Sequence, residues 1–186
     1  MPIMRFFSSH REKKLWIWTL IVVLAIYASL ALELSVANVL IQRGLVTAFY
    51  IAGMLMIVAT AVSQGFGVRP RGVEVAVALG IAAAYLLLFT RLSIPEERTH
   101  LIEYGIVGAF IYEALLERSV QGRRVIAPAV VAIVCASILG TVDEFIQYFL
   151  PNRTFDPRDI FFNVLAATMA VSACKVMAGI RRPGGS

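Results

Sequence analysis

Charge is scarce in this chain. Asp, Glu, Lys and Arg make up 16% of its 186 residues, against about a quarter in ordinary soluble domains. The hydrophobic share is 59% and the mean hydropathy +0.80, so the excess apolar surface requires a solvent other than water. Histidine occurs twice, as His10 and His100, which excludes the paired-histidine H-E-x-x-H zinc motif. Cysteine also occurs twice. Cys135 and Cys174 lie in separate apolar segments with no motif spacing; they read as small buried hydrophobes and carry no information about redox compartment. There is no internal repeat and no nucleophile motif, and Ser93 and Thr99 read as isolated loop residues.

What the chain does have is long uncharged runs. Segments 15–32, 44–68, 125–142 and 160–174 contain no charged residue, and 75–90 begins just after Glu74. A sixth segment, 101–116, includes Glu103 and Glu113. A helix needs about 20 largely apolar residues to cross a bilayer. The fold class expected is therefore all-α: a polytopic transmembrane helical bundle of about six spans. Two parts are expected, a basic N-terminal segment with a helix pair over 1–72 and a second helical part over 73–186. The second part holds nearly every polar residue that falls in or beside an apolar span.

The net charge of +5 would suggest nucleic acid in a soluble protein, but its placement points to the positive-inside rule. If the N-terminus is cytoplasmic and six spans alternate, twelve of the 17 basic residues lie inside. They are Arg5, Arg11, Lys13, Lys14, Arg69, Arg71, Arg118, Arg123, Arg124, Lys175, Arg181 and Arg182. Five spans would put the basic tail on the wrong side. The expected location is a bacterial inner membrane, multi-pass, with both termini cytoplasmic, the lipid bilayer as partner and no nucleic acid. Residues 5–31 also resemble a signal peptide, but the apolar run is longer than the usual 7–15 residues of such a segment.

The polar exceptions have a pattern. On this topology the segment at 101–116 runs from outside to inside and is preceded by His100. His100, Glu103 and Tyr104 are spaced i, i+3, i+4 and share a helix face. The next segment runs outward and ends with Asp143 and Gln147 on one stripe and Glu144 and Tyr148 on the adjacent one. Pro151 should end it. Arg153 follows in the loop, and Asp156 with Pro157 forms a helix start, after which Asp159 and Asn163 are again i, i+4. Three helix ends at one depth bring these side chains to the outer membrane surface. Charge at mid-bilayer costs at least about 2.5–3.5 kcal/mol, so they are expected in a wet polar pocket at the interface.

Three uses of that pocket stand open: structural pairing, a ligand site for an envelope molecule, and an active site. The catalytic candidates are His100, Glu103, Asp143, Glu144 and Asp159, as acid and base. No metal is assigned, and the cofactor is unknown; one imidazole among carboxylates would suit Mg²⁺ or Mn²⁺ better than structural zinc. At the inner end, Glu113 and Glu117 are expected to pair with the nearby Arg118, Arg123 and Arg124 or to snorkel.

"HLIEYGIVGAFIYEAL" followed by "DEFIQYFLPNRTFDPRDIFFNVLAA" resembles the VanZ-like family of bacterial membrane proteins over about residues 75–178. That pattern has His and Tyr on one helix, then Glu and Gln near the end of the next. A Pro-Gly-Arg turn follows, then Asp and Asn at the start of the last helix. The counterparts are His100, Tyr104, Glu144, Gln147, Pro151, Arg153, Asp159 and Asn163. The turn reads Pro151-Asn152-Arg153, and Asn tolerates the left-handed conformation that Gly would supply. The family is named for a protein linked to lowered teicoplanin susceptibility. The resemblance implies a cell-envelope role, with antibiotic resistance as one form of it, and a ligand set of His100, Tyr104, Glu144, Gln147, Arg153, Asp159 and Asn163. It brings no established reaction. The partner read here is a lipid-linked cell-wall component, bound in the outer pocket to alter glycopeptide access. The alternative is a membrane-embedded enzyme acting on a lipid-linked headgroup by acid/base or divalent-metal chemistry.

Overall fold

A computed structural model describes residues 6–32, 80, 95–150 and 155–181. Among them the chain forms four long helices and no strand: α1 His10–Leu32, α2 Pro95–Val120, α3 Pro128–Tyr148 and α4 Pro157–Arg181. The expected segments at 15–32, 101–116, 125–142 and 160–174 fall on these four. The one at 44–68 and, apart from Gly80, the one at 75–90 lie outside the described residues, as do Pro151, Asn152, Arg153 and the tail after Arg181.

Helix boundaries follow local chemistry. Pro128 opens α3 behind Ala127, whose φ of 46° is the only positive value at a non-glycine among the described residues. Proline at a first helical position costs nothing, because its missing N–H would have no partner there. α4 starts as the sequence suggests. Pro157 takes the first turn, and Asp156 accepts a bond from the Arg158 N–H through Oδ1 at 2.9 Å. At the end of α3, the amides of Phe149 and Leu150 bond back to Ile146 and Gln147.

α2 lies at the centre, packed along α1, α3 and α4. The α2–α4 seam is close because its residues are small. A Cβ on Gly108 would sit 3.2 Å from the Ala167 Cα, and Ala166, Ala167 and Val107 are fully buried. Small residues allow backbones to approach where lipid supplies no hydrophobic drive between helices.

α3 is inside-out relative to a soluble helix. Its buried stripe is Ala132, Ala136, Gly140, Asp143, Glu144 and Gln147. Its outer stripe is Val130, Val134, Ile138, Val142 and Phe145, between 42% and 61% exposed. A soluble amphipathic helix buries its large apolar face and shows water its polar one. The reverse arrangement is stable only with apolar solvent outside. α3 and the stretch Pro157–Gly179 of α4 are long and apolar enough to cross a membrane.

At the opposite end from the acidic groups of α3, the start of α1 is tied to the end of α2. Arg11 reaches Glu113 at 2.9 Å and Glu117 at 3.1 Å. Ser9 donates to Glu117 at 2.8 Å. Arg118 lies 2.8 Å from Glu12 and donates to the Phe6 carbonyl at 2.7 Å. Both the hydroxyl and the amide of Ser8 donate to Glu12. The expected ion pairing is therefore present, but the cation facing Glu113 and Glu117 is Arg11 of the first helix rather than an arginine close in sequence. Glu12 is fully buried. Burial pushes the Glu12 and Glu117 carboxyls up. The serine donors Ser8 and Ser9, Gln121 and the two guanidinium groups outweigh that and hold both below the usual carboxylate range.

Candidate functional site

The polar groups of three helices meet at the other end. α2 places His100 in its first turns, α3 places Asp143, Glu144 and Gln147 in its last, and α4 places Asp159 and Asn163 in its first. Antiparallel neighbours bring these ends to one level. All six side chains are buried: His100 is 4% exposed, Asp159 8%, and Glu144 and Asn163 0%.

His100 is the hub. Its Nε2 lies 3.3 Å from Glu144 Oε1 and 3.7 Å from Asp159 Oδ2, and its Nδ1 lies 3.7 Å from Asp143 Oδ2. Gln147 donates to Glu144 Oε1 at 3.1 Å and to Asp143 Oδ2 at 3.4 Å, holding the two neighbouring carboxylates in place. Tyr104, one turn from His100, is 1% exposed, and its ring stacks with the imidazole at 6.1 Å between centroids. Glu103 is half-buried and takes no part in the three histidine–carboxylate contacts. Arg153 lies outside the described residues.

Two contributors were not singled out from sequence. Gly140 receives the Asn163 Nδ2 bond on its carbonyl at 3.2 Å, and a Cβ on Gly140 would meet the Asn163 side chain at 2.7 Å. Tyr27 on α1 donates to the Leu139 carbonyl at 3.0 Å and lies near Asp143. Both sit in uncharged runs, where only a glycine on the acidic stripe of α3 and a hydroxyl toward the C-terminal end of α1 could have marked them.

Several buried oxygens are left over. Tyr104 faces Asp143 and the Asp156 amide faces Glu144, yet Tyr104 Oη, Asp143 Oδ1, Glu144 Oε2 and Asn163 Oδ1 have no hydrogen bond within 3.5 Å among the described residues. A buried polar atom without a partner costs about 1–3 kcal/mol. Four in one cluster are what a site kept ready for a ligand would show.

The VanZ/LLP1 family profile matches residues 2–178. The chain belongs to the VanZ/LLP1 family. The match takes in the N-terminal segment, which the resemblance read from residues 75–178 did not reach, and α1 accordingly packs against α2 as part of the same bundle. Together with the two long apolar helices, membership makes this a VanZ-like membrane protein. Comparison with curated proteins and with solved structures gave no match. Within the VanZ-like pattern, the His, Glu, Gln, Asp and Asn counterparts are the side chains that converge, and the Tyr counterpart stacks beside them.

Proposed function

We propose that this VanZ-like protein is a six-span protein of the bacterial inner membrane, with both termini cytoplasmic. At the outer face it binds a lipid-linked cell-wall component and so lowers susceptibility to glycopeptides such as teicoplanin. The observation that carries the reading is the cluster around His100, with the buried oxygens of Asp143, Glu144 and Asn163 gathered beside it. Acceptors in that number favour a ligand group rich in hydrogen-bond donors or positive charge. The outward apolar faces support the spanning arrangement; on α1 these include Trp18, Leu20 and Leu24. The basic residues at the end away from the cluster support a cytoplasmic inner face.

A second reading has its own support. The contact of 3.3 Å between His100 Nε2 and Glu144 is close to the geometry of an acid–base pair. It fits an enzyme acting on a lipid-linked headgroup, with Glu103 and Asp159 as further candidates.

The test uses purified full-length protein with Glu144→Gln, Asp159→Asn and Arg153→Ala variants, assayed for retention and turnover of a lipid-linked cell-wall precursor. Retention without turnover, lost in folded variants, is the result expected for a binding protein. Turnover that the same variants abolish would replace it with the enzyme. If neither occurs and the variants fail to fold, the cluster is structural.

A further inference from the structure

The cluster has the shape of a cation site. We propose that His100 Nε2, Glu144 and Asp159 coordinate one divalent first-row metal ion, Zn²⁺ or Mn²⁺, whose open position receives an oxygen of the bound envelope component. The last clause rests on the function proposed above; the metal site itself does not. On sequence alone no metal is assigned, and one imidazole among carboxylates suits Mg²⁺ or Mn²⁺ better than structural zinc.

Three observations carry it. The first is spacing. One ligand atom from each residue lies within 4.8 Å of the other two, and the imidazole nitrogen is 3.3 and 3.7 Å from the two carboxylates. With metal–ligand bonds of about 2.0–2.2 Å, neighbouring donor atoms lie roughly 3–3.6 Å apart. Small shifts therefore suffice to close the set on an ion.

The second is charge and valence left unused. Asp143 and Glu144 are buried with no Lys or Arg ion-pair partner among the described residues. Glu144 gives Oε1 to Gln147, while Oε2, wholly buried, has the Asp156 amide nearby and no hydrogen bond within 3.5 Å. Buried carboxylates are costly unless a cation faces them; a dication would supply charge that no Lys or Arg among the described residues brings to Asp143 and Glu144.

The third is the outer ring. Asp143 faces the far side of the same imidazole, 3.7 Å from Nδ1, longer than a hydrogen bond but placed to tighten into one when the ring is held by an ion. Carboxylate, histidine and metal in line is the usual arrangement at ligating histidines. The carboxylate fixes the ring and keeps the proton on the nitrogen away from the metal. Gln147 donates to both Asp143 and Glu144 and so fixes the two carboxylates relative to each other. A nitrogen donor selects against Mg²⁺ and Ca²⁺, and the order of stabilities puts Zn²⁺ above Mn²⁺.

The test starts from chelator-treated full-length protein in detergent, carrying His10→Gln so that His100 is the only native imidazole. It is loaded separately with Zn²⁺ or Mn²⁺, desalted, and its metal measured by mass spectrometry. The expected result is about one equivalent of either ion per chain, with Mg²⁺ unable to compete. Asp143→Asn lowers affinity about 10–100-fold, His100→Gln, Glu144→Gln and Asp159→Asn lower it further, and Glu113→Gln at the opposite end leaves it unchanged. Pulsed electron paramagnetic resonance on the Mn²⁺-loaded protein should show coupling to an imidazole nitrogen. That readout needs no cluster variant and decides the matter if the variants do not fold.

Helical, monodisperse protein that retains neither ion would overturn the site. So would a retained ion without nitrogen coupling, equal competition by Mg²⁺, or folded cluster variants that bind as the parent does. Metal binding without precursor retention would keep the site and sink the proposed function. Precursor retained equally with and without metal would keep the function and remove the ion from it.

Discussion

Gly140→Ala is the smallest change that tests the helix contact beneath the site. The new methyl would lie 2.7 Å from Asn163 Cβ and Nδ2 and 2.8 Å from its Cγ. Asn163 is fully buried and hydrogen-bonded to the Gly140 carbonyl, so it has no open side to turn toward. Overpacking such a contact costs about 1–3 kcal/mol, and losing the hydrogen bond adds about 0.5–1.5 kcal/mol. Alanine returns about 1 kcal/mol through its better helix propensity. The net loss is roughly 1–3 kcal/mol. Gly179→Ala is the control: nothing lies within 4 Å of its Cβ, and it should stabilise by up to about 1 kcal/mol. Gly108→Ala, at 3.2 Å from the Ala167 backbone, should fall between them. Thermal unfolding of the three variants in one detergent, followed by loss of the monodisperse peak, gives the order directly. If Gly140→Ala melts at or above Gly179→Ala, α3 and α4 are not in contact there, and the site built on that contact falls with it.

The ties between the start of α1 and the end of α2 give two further expectations. Arg118→Ala strips the partly buried partner from Glu12 and should cost about 2–4 kcal/mol, whereas Arg11→Ala, whose side chain is 56% exposed, should cost less than about 1 kcal/mol; denaturant titration separates them. Because Glu12 and Glu117 are held below the usual carboxyl value of 4.5, their contribution is complete above that pH and is lost as pH falls through the lowered value. Glu12→Gln and Glu117→Gln should therefore flatten the acid limb of the stability–pH curve below about 4.5; an unchanged limb would refute the assignment. For topology, with Cys135 and Cys174 replaced, Phe155→Cys should react with an impermeant thiol reagent in intact cells and Gln121→Cys should not. The opposite labelling would put the cluster at the cytoplasmic face.

Much of the site was legible because helix geometry fixes who shares a face. Spacings of i, i+3 and i+4 aligned His100 with Tyr104, Asp143 with Gln147 and Asp159 with Asn163, and alternating directions brought those helix ends to one level. Spacing gives faces but not distances. It could not choose which of Asp143, Glu144 and Glu103 would meet the imidazole, and Glu103 turned out to stand aside from those contacts. Gly140 escaped notice because its importance lies in the absence of a side chain. The tie between Arg11 and Glu117 escaped because more than a hundred residues separate them in sequence, and proximity along the chain made Arg118 the more obvious partner.

That separation has a consequence for biogenesis. Ser9 and Glu117 are 108 residues apart, and translation advances at about 5–20 residues per second. On the six-span arrangement proposed above, the first helix waits in the bilayer for roughly 5–20 s before the acidic end that anchors it has been synthesised. During that interval Glu12 has only its own serine for company, and a membrane insertase that shelters the lone helix would shield a carboxylate that the finished bundle neutralises by itself.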